Sequence, residues 1–262
     1  DRFNDSETVQ NALRGLSLAS DKVIANGNDP SLAELAGDNI LFFGLSKILA
    51  EDESAPRYSV SESAAVEKLD FEIKESSPFV FITKNANIEL TLADIGMHML
   101  LNFGAALATA LQVVTHIDFH KLEQTAENLE GVYGRDTLET INGVPSRILL
   151  VQNHESFRLN ILRAENAEQL FMAIGTDVKD PSWLWGVDMS SLPKVDKLTG
   201  HHAIPMKYRL LSCDVDVAEV MDDFDSCLHK FIDMDKPKTG ERVFIVTADT
   251  FRRMKRSLEL SS

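Results

Sequence analysis

The chain has 262 residues, of which 41 are Asp or Glu and 26 are Lys or Arg, giving a formal net charge of −15. That balance excludes a general nucleic-acid binder and a protein held on anionic membranes, because both need a basic face. Two cysteines, Cys213 and Cys227, are too few for a disulfide framework and show no zinc-binding spacing, so a reducing compartment, the cytoplasm, is expected.

At this length two domains are expected, since single cores stop growing above roughly 200 residues. Asp1 stands where Met would open a gene product, and no basic-then-apolar leader follows, so a processed product or a fragment is expected. In chain order, "ETVQNALRGLSLA" predicts a helix, "KVIAN" a short strand, "SLAELAG" a helix begun at Pro30-Ser31, and "NILFFGL" a buried strand. Strands alternating with helices imply a parallel sheet. Residues 51–65 are polar and read as a loop. "KLDFEI", "FVFIT" and "IELTL" then read as three strands of a small antiparallel patch.

Residues 95–117 contain no Asp, Glu, Lys or Arg and are long enough to cross a membrane. The polar His98, Asn102, Thr109, Gln112 and His116 favour a buried helix of a soluble domain instead. An amphipathic helix follows from Asp118, its expected N-cap, to a stop at Gly131. The pattern then restarts, with strand "RILLVQ", helix "ESFRLNILRA", strand "QLFMAIG", a tryptophan segment, strand "YRLLS", one long helix from about 216 to 231, strand "RVFIV" and a last helix. The acidic run within the long helix reads as a solvated face.

No phosphate-binding loop, dinucleotide fingerprint, nucleophile elbow or His-Glu-x-x-His occurs in the chain. His201-His202 are poor partners for one metal if they lie on a strand, because adjacent side chains there point to opposite faces. Neither cysteine has an evident base partner. The segment "DVKDPSWLWGVD" is the better candidate. Asp177 and Asp180 follow directly on an apolar strand, and in open α/β sheets the loops after the strands form the ligand crevice. Two readings of it stand side by side: a ligand- or partner-facing acidic loop, or a loop closed by Trp183 and Trp185 whose Asp side chains cap backbone amides.

Several stretches together resemble the MurT family, the synthetase subunit of lipid II isoglutaminyl synthase, related to the Mur peptide ligases. "VIANGNDP" is similar to the Asn-x-Asp-Asp-Pro strand end of the Mur central domain, "GMHMLLNFGAALATAL" to its Gly-x-His/Tyr-Asn-x-x-Asn helix, and "LEGVYGR" to the Gly-Arg that closes that domain. "DVKDPSWLWGVDMSSL" resembles the MurT signature Asp-Gly-x-Asp-x-Ser-Trp-x-Trp-Asp-x-Asp, and "LTGHHAIPMKYRL" and "ERVFIVTADTFRRMKRSL" resemble later MurT motifs. The resemblance implies an α/β chain: residues 1–134 as the remainder of a Mur ligase central domain, a parallel sheet with helices and a small antiparallel patch, and residues 135–262 as a second, Rossmann-like domain.

It also implies an activity. The family amidates the α-carboxyl of D-glutamate in the lipid II stem peptide, activating it with ATP and Mg, while a GatD-like glutaminase supplies ammonia. An Asp of the MurT C-terminal domain completes the glutaminase triad. Asp177 is the first choice for that role and Asp180 the second, with Asn102 and Arg135 as the nucleotide-binding residues. The chain departs from the family at Met99, Gln152, His154, Val178, Gly186, His202 and Pro205, begins beyond the family's phosphate loop, and has no zinc ribbon. Those departures support a second reading, a non-catalytic binding or scaffold protein that has lost nucleotide chemistry. A third, an amino-acid-adding Mur ligase, lacks the tryptophan signature.

Overall fold

The computed structural model describes residues 6–35, 37–58, 68–129, 135–178 and 181–260. They form an α/β protein of two compact units, Asp1–Leu129 and Glu130–Ser262.

The first unit is built on a five-stranded sheet in the order β1 (Val23–Asn26), β2 (Ile40–Leu45), β3 (Phe71–Ser76), β4 (Phe79–Thr83), β5 (Asn87–Leu90). Strands β1, β2 and β3 are parallel, and β3, β4 and β5 antiparallel. The antiparallel patch is therefore no separate element, because β3 also pairs with β2. Helix α1 (Ser6–Ala19) precedes the sheet, and two single turns, α2 (Pro30–Ala33) and α3 (Lys47–Ala50), follow β1 and β2. The "NGNDP" stretch closes the end of β1. Asn28 bridges to β2 by accepting from Leu45 N–H (2.6 Å) and donating to Leu45 C=O (3.1 Å), while Asp29 caps α2 at Ser31 N–H (2.9 Å).

The charge-free stretch forms α4 (Met97–Val113), whose Leu100, Leu101, Gly104, Leu107 and Ala108 are buried in the same core as Ile73, Phe79 and Phe81. Gly104 lets the helix approach the sheet, since a Cβ there would meet Ile73 Cδ1 at 2.6 Å. Among the described residues no helix is long and apolar enough to cross a membrane. Helix α5 (Phe119–Glu127) is capped by Asp118, which accepts from Lys121 N–H (3.2 Å). Its expected stop, Gly131, lies outside the described residues.

The second unit is a six-stranded sheet with helices on both faces. Its order is β10 (Val217–Val220), β9 (Val195–Thr199), β8 (Ala167–Ala173), β11 (Glu241–Thr247), β7 (Val144–Val151), β6 (Arg135–Ile141), and only the β6–β7 pair is antiparallel. Helices α6 (His154–Arg163), α7 (Ser182–Trp185) and α8 (Ala203–Leu211) pack on one face through Phe157, Ile161, Leu184, Met206 and Leu210. Helices α9 (Phe224–Ile232) and α10 (Ala248–Ser257) cover the other face through Phe224, Phe231, Phe251 and Met254.

Two expectations are corrected here. "YRLLS" belongs to α8 and not to a strand, because Met206 and Leu210, four residues apart, are both buried on one helical face. The predicted long helix is strand β10 followed by α9, interrupted where Asp223 takes an extended conformation and caps α9 at Ser226 N–H (2.9 Å). The acidic run is accordingly divided among tasks: Glu219 pairs with Lys197 and Lys230, and Asp225 with Arg253. Strands β6 and β9 were not anticipated. For β6 a signal was present in Asn142-Gly143, with φ of 50° and 69°, a turn pair that favours a tight hairpin.

The edge at which β8 and β11 begin is held by a carboxylate. Glu168 accepts from the backbone N–H groups of Lys238 (2.8 Å), Thr239 (2.8 Å) and Gly240 (2.8 Å). These bonds, that of Thr239 foremost, bring its pKa down to about 2. A depressed carboxylate pKa contributes stability that is present above the unfolded value of 4.5 and lost as pH falls through the folded one. The protection factors of the amides at residues 238–240, taken against the intrinsic exchange rate at each pH, should therefore fall between about pH 4.5 and pH 2 in the wild type, and be low throughout in Glu168→Gln. Equal protection in the two proteins at pH 6 would contradict this.

Candidate functional site

The chain leaves β8 for α7, on one face of the sheet, and leaves the neighbouring strand β11 for α10, on the other. Two adjacent parallel strands whose continuations diverge open a crevice at their carboxyl ends. Asp177 lies there. Thr247, the last residue of β11 and the N-cap of α10, donates its hydroxyl to Asp177 Oδ1 (2.8 Å) and accepts from Gly175 N–H (2.9 Å). Asp249 N–H, in the first turn of α10, donates to Asp177 Oδ2 (3.2 Å). In return Asp249 Oδ2 accepts from the Thr176 hydroxyl (3.0 Å) and, at 3.4 Å, from its N–H.

The loop after β8 is thus hooked to the helix after β11. Thr247 is fully buried, whereas Asp177 is exposed. Beside this junction a cavity of about 400 Å³ is lined by Thr176, His201, Asp222, Asp249 and Arg253. Arg253 is already engaged by Asp225 (2.7 Å) and lies over the Phe224 ring.

The tryptophan segment is anchored at both ends by α8 and the turn before it. His202 Nε2 is 2.9 Å from Val178 C=O, and the Arg209 guanidinium donates to Val187 C=O (2.7 Å). Between them α7 buries Leu184, while Trp183 and Trp185 are half-buried against the same core. Asp188 accepts from Ser190 N–H (3.0 Å), which holds its carboxyl below the usual range. The rings and Asp188 thus close the segment, as the capping-loop reading expects, and Asp177 stands at its start in the crevice. Asp180 lies outside the described residues.

His201 and His202 occupy a turn and not a strand, with ring centroids 4.8 Å apart. Their rings do not converge on a metal set, and among the described residues no group of three or more His, Cys, Asp or Glu is arranged to hold a metal ion.

The two residues assigned to the nucleotide fall in different units. Asn102 is exposed on α4, its amide 3.9 Å from Met99 Sδ, and Arg135 is exposed at the start of β6, donating to Gln152 Oε1 (2.9 Å). With no phosphate-binding loop in the sequence and no metal-ligand group, the described residues do not by themselves compose an MgATP site.

Neither cysteine is placed for nucleophilic work. Cys227 is fully buried on α9, and desolvation pushes its thiol up to about 11. Cys213, at the end of α8, is partly exposed. A thiol reagent at pH 8 should modify Cys213 alone in the native protein and both after denaturation; rapid native modification of Cys227 would show the α9 core to be open.

No protein-family model matches the sequence, and no curated protein matches it significantly. Solved structures do match the fold. A pseudomurein peptide ligase type C from Methanothermus fervidus is similar over 98% of this chain and 60% of its own, with a TM-score of 0.62 and 15% identity. The UDP-N-acetylmuramate-alanine ligase MurC of Thermotoga maritima covers 99% of this chain and 56% of its own (TM-score 0.60, 14% identity). A folylpolyglutamate synthase from Thermotoga maritima covers 98% and 59% (TM-score 0.60, 17% identity). The chain thus spans about three-fifths of the length of these ligases, and it has the α/β fold of Mur-type ligase central and C-terminal domains.

Proposed function

We propose that this chain is part of an ATP-dependent amide-forming ligase of the Mur type. Its finer role is that of a MurT-like subunit, working in the cytoplasm, that amidates the D-glutamate α-carboxyl of lipid II with ammonia from a GatD-like glutaminase. One observation carries the reading: the acid at the first position of the tryptophan signature, Asp177, is exposed at the switch point of the second unit and held there by two donors. A carboxylate has about four lone-pair sites, so two remain to accept an imidazole N–H. An Asp in that place fixes the tautomer and orientation of a catalytic histidine. The fold similarity supports the ligase class, and Asn102 and Arg135 are the residues proposed for the nucleotide of the MgATP that activates the carboxylate in such ligases.

In a mixture with a GatD glutaminase, the Asp177→Asn protein should fold normally and lose about 10²-fold or more of glutamine hydrolysis, since the amide presents the wrong group to the imidazole. Unchanged hydrolysis would sink the assignment of this residue. The second reading, a scaffold without nucleotide chemistry, is favoured by the departures from the family motifs at Met99, Gln152 and His202. Calorimetric titration of a full-length chain with MgATP separates the two, because micromolar binding contradicts a scaffold that has lost the nucleotide.

A further inference from the structure

The side chain of an aspartate rotates freely about its last torsion, where the energy wells are broad. A carboxylate that must meet one imidazole needs that torsion fixed. At Asp177 two donors on different elements grip separate oxygens, the Thr247 hydroxyl on Oδ1 (2.8 Å) and Asp249 N–H on Oδ2 (3.2 Å). The shorter bond is the one from a hydroxyl, and that hydroxyl is itself constrained. Thr247 is fully buried, and its oxygen accepts from Gly175 N–H (2.9 Å). Its single hydrogen therefore goes to the charged acceptor, the stronger kind of hydrogen bond.

The packing around this bond leaves no slack. A Cβ on Gly175 would lie 2.9 Å from Asp177 Oδ1, 3.0 Å from Asp249 Oδ2 and 3.0 Å from Thr247 Oγ1, so a larger residue there would press on all three groups. The backbone of Thr247 is fixed as well, because its N–H donates to Thr250 Oγ1 (3.0 Å), which also lies 3.0 Å from Ala173 C=O at the end of β8.

We infer that Thr247 is the positioning residue of the site, a buried hydroxyl that sets the torsion of Asp177 and aims its two remaining acceptor sites out of the crevice towards the partner's imidazole. The inference rests on the reading of Asp177 given above. Thr247 would act on the reaction through Asp177, beside its structural bonds as the N-cap of α10 and as acceptor of Gly175 N–H.

The test compares Thr247→Val, which keeps the shape and removes the hydroxyl, with Thr247→Ser, which restores it. Both are mixed with a GatD glutaminase beside the wild type and Asp177→Asn. The valine variant should bind the glutaminase with an unchanged Kd and lower kcat for glutamine hydrolysis on the order of 10- to 100-fold, the loss that small misplacements produce. The serine variant should recover most of that rate. Full kcat in Thr247→Val while Asp177→Asn is dead would overturn the inference and leave the reading of Asp177 standing. Full activity in Asp177→Asn would remove both. Should the valine variant not fold, the Asp177 carboxylate in a crystal structure of the wild-type chain decides: one orientation with Thr247 on Oδ1 supports the inference, and alternative orientations overturn it.

Discussion

Replacing Arg147 by alanine should lower the unfolding free energy by about 3–5 kcal/mol, the cost of leaving a buried charge without its partner. The Arg147 and Asp136 side chains are only 2% and 1% exposed. The guanidinium donates to Asp136 Oδ1 and, from Nε and Nη2, to both oxygens of Glu241 (2.9 and 3.0 Å), while Arg163 reaches Asp136 Oδ2 at 3.3 Å. Burial alone would push the Arg147 pKa down, but the Glu241 and Asp136 carboxylates more than offset it and raise it.

The network ties β6, β7, α6 and β11 together at one end of the second sheet. Without Arg147, Asp136 loses its fully buried ion-pair partner and keeps Arg163, which is partly exposed. Pairing Arg147→Met with Asp136→Asn should recover much of the loss, since neither side chain then carries an uncompensated buried charge. The measurement is chemical denaturation of the single and double variants. A cost below about 1 kcal/mol for the single alanine variant would place this pair with surface ion pairs, whose contribution is that small.

The second large effect is at Gly200, between β9 and the His201-His202 turn. Its φ of +98° lies where L side chains are strained, and a Cβ there would sit 2.4 Å from Ile174 O and 2.9 Å from both Ile174 C and N. Those atoms are backbone and cannot swing aside. Ile174 is also fixed on both sides, its N–H donating to Thr199 C=O and its C=O accepting from His202 N–H, each at 3.2 Å. Gly200→Ala should therefore cost about 2–5 kcal/mol, combining backbone strain with overpacking. Because Ile174 directly precedes Gly175 and Asp177, it should also disturb the crevice. Gly15→Ala is the control: nothing lies within 4 Å of a Cβ on that residue of α1, and the change should stabilise the helix by about 0.5–1 kcal/mol. Similar unfolding midpoints for the two variants would refute the account of Gly200.

Much of this fold could be read from local pattern. The apolar runs "ILFFGL" and "QLFMA" form central strands because a strand buried on both faces needs no alternation, and Asp29 and Asp118 cap helices because a short carboxylate satisfies the first free amides. The charge-free α4 was recognisable as a core helix from its scattered polar residues. The errors fell where two periods compete over few residues. "YRLLS" is too short an apolar run to show its period, and its Leu and Arg suit the helix that its place on the sheet surface requires, while the apolar positions of 217–231 fit one helix although Asp223 divides them. The second strand of the β6–β7 hairpin was legible from its apolar run, whereas polar β6, at the sheet edge with little need of apolar residues, was marked only by its Asn142-Gly143 turn.

The site divides in the same way. Residue type and order brought out Asp177 together with Asp180, because an acid following an apolar strand in an α/β chain falls at the carboxyl edge of the sheet, and the resemblance to the MurT signature put Asp177 first. Thr247 carried no such signal. It lies 70 residues further on, and it meets Asp177 only because β11 inserts beside β8 while the chains leaving the two strands diverge to opposite faces. Strand order depends on which apolar faces can be buried together, a property of the whole sheet and not of any segment. The sequence by itself determined that an acid would stand at a strand end; only the tertiary structure decided which hydroxyl would hold it there.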